Sequence, residues 1–385
     1  MSIYLDNAAT TPLSADVFAE MKPYFFHEFA NPSSTHTAGR HARQAIEESR
    51  NHIADWLNTS PEHIFFTSGG TEGDNMAILS AIYTQKIRVV ITSRLEHHAV
   101  LNTLKKAERE GLIKLVFLSN DENGNLSLTE LDRLLDEQAE PVLLSLMHGN
   151  NEIANLNPIY EIADLAEHYG AVFHCDTVQT MGHYRYDVRQ ITPDFLVGSA
   201  HKFHGPKGVG FLYSRSPEQL IPVINGGSQE RGKRAGTENV AGIVGMAAAF
   251  QEMYLKLDEH ENHIRELKAK LINGLSIYPE IDFNGNSADL NGSLSTVLSI
   301  SVQNGISSGS LLQHLDLADI YASGGSACSG NGLSHVISAL QPKNERDNVR
   351  FSFSRYNTNA EIENVLLAIQ RYARRYDFES ILRSA

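Results

Sequence analysis

Between residues 64 and 213, short apolar runs alternate with amphipathic stretches, and few folds accommodate that rhythm. Runs at 64–67, 88–92, 114–118, 142–147, 172–175, 195–198 and 209–213 have strand length and composition. The stretches 71–83, 97–109, 128–137 and 159–169 read as helices. Such alternation implies α/β architecture: a mostly parallel seven-stranded sheet covered by helices. The seventh run follows the sixth through a short loop. A parallel crossover needs about a dozen residues, so the seventh strand is expected to run antiparallel.

The pattern changes after about residue 250. Ile264, Leu267, Leu271 and Leu275 lie at helical spacing. Leu294, Thr296, Leu298, Ile300 and Val302 alternate with Ser295, Val297, Ser299 and Ser301, as in a strand. Val349, Phe351 and Phe353 alternate with Arg350, Ser352 and Ser354, a second strand with one polar face. Thr358-Asn359-Ala360-Glu361 is a capping box that opens a last helix. A chain of 385 residues exceeds one hydrophobic core. Two domains are therefore expected: a large one over 15–255, and a smaller α+β one from 1–14 and 256–385.

Charge and cysteine content narrow the function. Lys and Arg total 32 against 46 Asp and Glu, a formal charge of −14, which argues against nucleic acid as a direct partner. No apolar run approaches the ~18 residues needed to span a bilayer, so no membrane association is expected. The N-terminus, Met1-Ser2-Ile3-Tyr4-Leu5-Asp6, lacks the basic and long apolar regions of a signal peptide. Two cysteines, Cys175 and Cys328, form no disulfide framework, and a reducing, cytoplasmic location is expected.

Four motifs fall at or just beyond the ends of expected strands, the edge where open parallel sheets bind ligands. Ser68-Gly69-Gly70-Thr71 joins a strand to a helix; its glycines and the helix N-terminus suit a phosphate, although a plain turn would also be read this way. His148-Gly149-Asn150-Asn151-Glu152 follows a very apolar strand, and its dense polar groups need partners. His174-Cys175-Asp176-Thr177-Val178-Gln179 places Asp176 at a strand end, where a carboxylate could pair with a protonated heterocyclic nitrogen. Cys175 should point to the opposite face, as a core thiol. In Ser199-Ala200-His201-Lys202-Phe203-His204-Gly205-Pro206-Lys207-Gly208, Lys202 sits where partial desolvation favours a neutral, imine-forming amine. A phosphate loop, a carboxylate and a lysine in this order meet the needs of pyridoxal 5'-phosphate. Metal catalysis is the competitor, given 17 histidines, but no His-Glu-x-x-His or paired Cys-x-x-Cys spacing occurs and no metal is expected.

With these residues in view, the sequence resembles the cysteine desulfurases of the NifS/IscS-like branch, in the class V group of fold-type I pyridoxal-phosphate enzymes. The resemblance runs nearly end to end. It includes Tyr4–Thr11, Asn31-Pro32-Ser33-Ser34-Thr35-His36, Ser68–Asn75, Glu96-His97-His98-Ala99-Val100 and Asn150-Asn151-Glu152. It continues through His174–Gln179, Ser199–Gly208, Gly226–Asn239, Gly325-Ser326-Ala327-Cys328-Ser329 and Val349-Arg350-Phe351-Ser352-Phe353.

The resemblance implies roles. Lys202 holds the cofactor as an imine, Asp176 pairs with the ring nitrogen and Gln179 bonds the ring hydroxyl. His97, rather than His98, stacks on the ring and helps move protons. Asn151 lies near cofactor and substrate, while Gly70, Thr71, Ser199 and His201 hold the phosphate. Thr237 reaches the phosphate of a neighbouring subunit, which implies a homodimer. Asn31 and Arg355 grip the substrate carboxylate. Cys328, in the glycine- and serine-rich loop at about 322–335, takes sulfur from L-cysteine as a persulfide for a sulfur acceptor or iron–sulfur scaffold protein. Leu333-Ser334-His335-Val336-Ile337 departs from the family's usual Pro-Ser element, and the longer tail of housekeeping members is expected to be reduced. The rival activities are a cysteine or selenocysteine C–S(e) lyase of the same fold and a non-catalytic sulfur-delivery scaffold.

Overall fold

The computed structural model describes residues 2–303, 311–324, 334–341 and 346–384. After a short first strand β1 (Ile3–Tyr4), seven strands form one sheet: β2 (Ile64–Thr67), β3 (Val89–Ser93), β4 (Lys114–Leu118), β5 (Val142–Ser145), β6 (Val172–Asp176), β7 (Phe195–Ser199) and β8 (Gly210–Ser214). Their order is β2-β8-β7-β6-β5-β3-β4. The pairs among β3 to β7 are parallel, and β8 runs antiparallel to both neighbours, as the short connection from β7 requires.

Side-chain alternation sends neighbouring residues of each strand to opposite faces. Leu144, Leu196 and Phe211 join a core with Ile46 and Ile53 of the helix Thr37–Trp56 and Met246 and Phe250 of the helix Val240–Leu255. Leu143, Val197 and Leu212 join the opposite core, with Met76 and Ala81 of the helix Gly70–Thr84 and Val100 and Leu104 of the helix His98–Arg109. Burial on both faces is why these strands read as unbroken apolar runs.

A separate core gathers Leu267 and Leu271 of the helix Leu257–Leu275 with Leu298 and Ile300 of β10 (Val297–Gln303) and Ile362 and Val365 of the helix Asn359–Ser384. Here β10 lies between β9 (Ile281–Phe283) and β12 (Arg346–Ser352), while β11 (Ile320–Tyr321) pairs with β1. The capping box forms: Thr358 N–H donates to Glu361 Oε2 at 2.8 Å and Glu361 N–H to Thr358 Oγ1 at 3.3 Å.

The N-terminal segment links the two assemblies. Leu5 belongs to the separate core, Ala8 N–H donates to Ser352 Oγ, and Thr11 N–H donates to the carbonyl of His201 beside the large sheet. Among the described residues no helix is long and apolar enough to cross a membrane.

Candidate active site

Because β2, β3, β5, β6 and β7 point the same way, the chain leaves them along one edge. Asp176 ends β6, and Ser199 ends β7 just before the short turn Ala200–Lys202. Gly70 opens the helix after β2, and His97 caps the helix after β3. These residues line a single cavity of about 230 Å³, together with Thr71, Asn151, Gln179, His201 and Lys202.

One end of the cavity is built to take an anion. Gly69 has φ of 151°, a conformation that L side chains rarely adopt, and no side chain caps the helix it opens. The first-turn N–H groups of that helix, beginning at Gly70 and Thr71, thus lack intrahelical partners, and the helix dipole favours negative charge there. A Cβ placed on Gly69 would lie 3.5 Å from Ser199 Oγ, so the hydroxyl borders the same turn.

The lysine and the carboxylate occupy the rest. Lys202 Nζ donates to the carbonyls of Ala8 at 2.5 Å and Ala9 at 3.0 Å, and Gln179 Nε2 also donates to Ala8. The N-terminal segment is therefore one wall of the site. Burial, with Asp74 nearby, raises Asp176 to about 6, while Val178 N–H donates to its Oδ1. Burial lowers His97 below the usual imidazole range, and its Nδ1 accepts from Ala99 N–H, which leaves the ring proton on Nε2. Burial likewise lowers His201 to about 4.

Three expected residues stand elsewhere. Arg355 does not line the cavity: its guanidinium is paired with Glu252 at 2.8 Å and also donates to the Tyr356 hydroxyl. Asn31 is exposed, its side-chain oxygen accepting from Ser33 N–H, and Thr237 is exposed too; neither lines the cavity of its own chain. The guanidinium that does reach the cavity is Arg350, 2% exposed, held by Asp6 Oδ1 at 2.8 Å and the Asn151 carbonyl at 2.9 Å. Cys328 lies outside the described residues. Cys175 is a core thiol whose ionisation burial pushes well up. Among the described residues no group of His, Cys, Asp and Glu is placed to hold a metal ion.

Known proteins place this arrangement. The family model described as Aminotransferase class-V matches residues 3–365. "Cysteine desulfurase IscS" of Dictyoglomus turgidum is 40% identical over 378 residues, 96% of this chain and 94% of that protein. The chain belongs to the class-V aminotransferase family, among the cysteine desulfurases. A solved structure titled "NIFS-LIKE PROTEIN" superposes with a TM-score of 0.88 at 34% identity, covering 97% of this chain and all of that one. Another, titled "SspA in complex with cysteine", has a TM-score of 0.77 at 29% identity and covers 93% of this chain and all of that one.

Several side chains of this class-V aminotransferase site gave no distinctive sequence signal. Arg350 was legible only as one member of a polar strand face. That face is buried, because the N-terminal segment packs on it through Asp6 and Ala8. Asp74 looks like an ordinary helix residue, yet it lines the cavity. Glu96 is buried and accepts from Met147 N–H, and burial pushes its carboxyl well up. His335 Nε2 donates to the Glu96 carbonyl and its ring lies 4.3 Å from that of His98, while Ser334 Oγ donates to the Glu152 carboxylate. This anchors the short helix His335–Ala339 beside the site.

Proposed function

We infer that the chain is a pyridoxal-phosphate-dependent cysteine desulfurase that converts L-cysteine to L-alanine and carries the sulfur as a persulfide on Cys328. One observation carries this reading. An uncapped helix N-terminus, a buried strand-end carboxyl and a lysine amine converge on one cavity, and they match the phosphate, ring nitrogen and aldehyde of a single cofactor. When bound, pyridoxal phosphate supplies an electron sink for the pair released as a proton leaves the substrate Cα.

The chain's own residues do the rest. The N–H groups of Gly70 and Thr71, with Ser199 and His201, hold the phosphate. Asp176, ionised above about pH 6, accepts a hydrogen bond from the ring nitrogen and keeps it protonated. Gln179 turns its amide to the ring hydroxyl, and His97 covers the ring. Lys202 anchors the cofactor through its Nζ and then moves the Cα proton. Arg350, in place of Arg355, binds the substrate carboxylate, with Asn151 alongside. Cys328 attacks the substrate sulfur; the carbon–sulfur bond breaks, a sulfur–sulfur bond forms, and alanine leaves.

In the assembled enzyme Thr237 serves the phosphate of a partner copy, so the active form is a homodimer. The division into 15–255 and 1–14 with 256–385 belongs to the same reading. A persulfide product fits a reducing, cytoplasmic setting and a sulfur acceptor such as an iron–sulfur scaffold protein. Absorbance tests the cofactor assignment. Wild-type protein reconstituted with pyridoxal phosphate develops a visible band that Lys202→Ala lacks; a wild-type protein without that band contradicts the reading.

A further inference from the structure

Beside the carboxylate that faces the ring nitrogen lies a second carboxyl without an assigned task. Asp74 sits in the helix Gly70–Thr84, is 1% exposed, and lines the same cavity as Asp176. His174 and Asp176 are two residues apart on β6 and so share a face of the sheet. Asp74 Oδ1 lies 3.3 Å from His174 Nε2, and both are buried polar atoms without a hydrogen-bond partner. His174 is fully buried, and its Nδ1 lies 2.9 Å from Ser145 Oγ on β5. The other titratable groups facing this cluster are Glu96 and His97 from the turn after β3, Cys175 and Asp176 from β6 and Lys202 from the turn after β7. Three carboxyls in one desolvated pocket do not all ionise together, because each charge disfavours the next.

We propose that Asp74 is a proton-holding positioning residue whose neutral carboxyl donates to His174 Nε2, so that Asp176 alone bears the negative charge facing the cofactor ring. The proposal rests on the cofactor reading of the cavity. It fixes the histidine tautomer: with Nε2 accepting, the ring proton sits on Nδ1 and is donated to Ser145 Oγ. Burial favours this order, raising Asp74 to about 8 but Asp176 only to about 6, and lowering His174 to about 4. Near neutral pH Asp74 is then a neutral acid, His174 a neutral imidazole and Asp176 a carboxylate. An ionised Asp74 would instead place a second negative charge beside the ring-nitrogen partner and split its hold on the ring proton.

Infrared spectroscopy of the holoenzyme reads the proton directly. The difference between wild type and Asp74→Asn at pH 7 should contain the carbonyl stretch of a protonated carboxylic acid, which fades as pH rises through about 8. A carboxylate signal at pH 7 overturns the proposal. Folding linkage gives a second readout. Because Asp74 takes up its proton on folding, its contribution to stability is full below about pH 4 and is lost as pH rises through about 8. The folded-to-unfolded ratio of wild type relative to Asp74→Asn should therefore fall by up to about tenfold per pH unit across that window. A ratio independent of pH contradicts the proposal. Should the variant fail to fold, nitrogen-15 spectra of wild type decide: a neutral His174 protonated on Nδ1 supports the proposal, and protonation on Nε2 overturns it. A chain that takes up no pyridoxal phosphate sinks the function proposed above. A chain that takes it up but has Asp74 ionised at pH 7 sinks only this inference.

Discussion

At the scale of single residues, position relative to the sheet edge decides which polar groups meet. Lys202, Asp176, Gly70 and Ser199 were legible because each follows an apolar run, and a strand end fixes where the next side chain goes, whereas His97 was legible only through the family resemblance. The choice between Arg350 and Arg355 was not legible, because two arginines five residues apart carry no sequence mark of which one is turned inward. Arg350 lies within β12 and reaches Asp6 and the cavity, whereas Arg355 lies past the strand end and is taken by Glu252. Arg350→Lys should therefore raise KM for cysteine by ~10-fold or more, since one charge-assisted hydrogen bond is worth about 1.5–3 kcal/mol. Arg355→Lys should leave KM unchanged while lowering Tm through the Glu252 pair. Steady-state kinetics and thermal melts of both variants check this, and the reverse pattern would restore Arg355 as the substrate contact.

At the scale of elements, the phosphate turn depends on its neighbours as much as on its own sequence. A Cβ on Gly210 would lie 2.5 Å from the Gly198 carbonyl oxygen and 2.8 Å from Gly69 Cα, both backbone atoms with little room to yield. Gly210→Ala should cost about 1–3 kcal/mol of stability by overpacking, and it should weaken cofactor affinity by displacing Gly69; denaturant melts and equilibrium dialysis measure the two effects. On the far side of the site, Ser334→Ala removes the donor to the buried Glu152 carboxylate. That variant should slow sulfur transfer to Cys328 while leaving cofactor absorbance intact, because it loosens the anchored helix and not the cofactor cradle. Periodicity made the strands readable, the short loop before β8 its reversed direction, and the Thr358-Asn359-Ala360-Glu361 motif the capping box. The burial of the polar face of β12 was not readable, because it depends on contact with a segment 344 residues away in sequence, Ala8 against Ser352 and Asp6 against Arg350.

At the scale of the whole molecule, the N-terminal segment ties the chemistry to the fold. It begins in the smaller core through Leu5, passes Ser352, and supplies the carbonyls that receive the Lys202 amine. Thr237 is exposed and does not line its own cavity, and its proposed role at the phosphate of a second copy is testable. Mixing Lys202→Ala with Thr237→Ala chains should thus restore one intact site per mixed dimer, with activity rising above that of either variant alone. In the proposed reaction one cofactor-loaded cavity delivers sulfur from cysteine to Cys328. The most direct test exposes the reconstituted enzyme to L-cysteine and measures alanine together with the mass of the Cys328 peptide. Wild type should form alanine and gain one sulfur on that peptide, and Cys328→Ser should retain cofactor absorbance without the gain. Release of sulfide with the wild-type Cys328 peptide unchanged in mass would contradict the account.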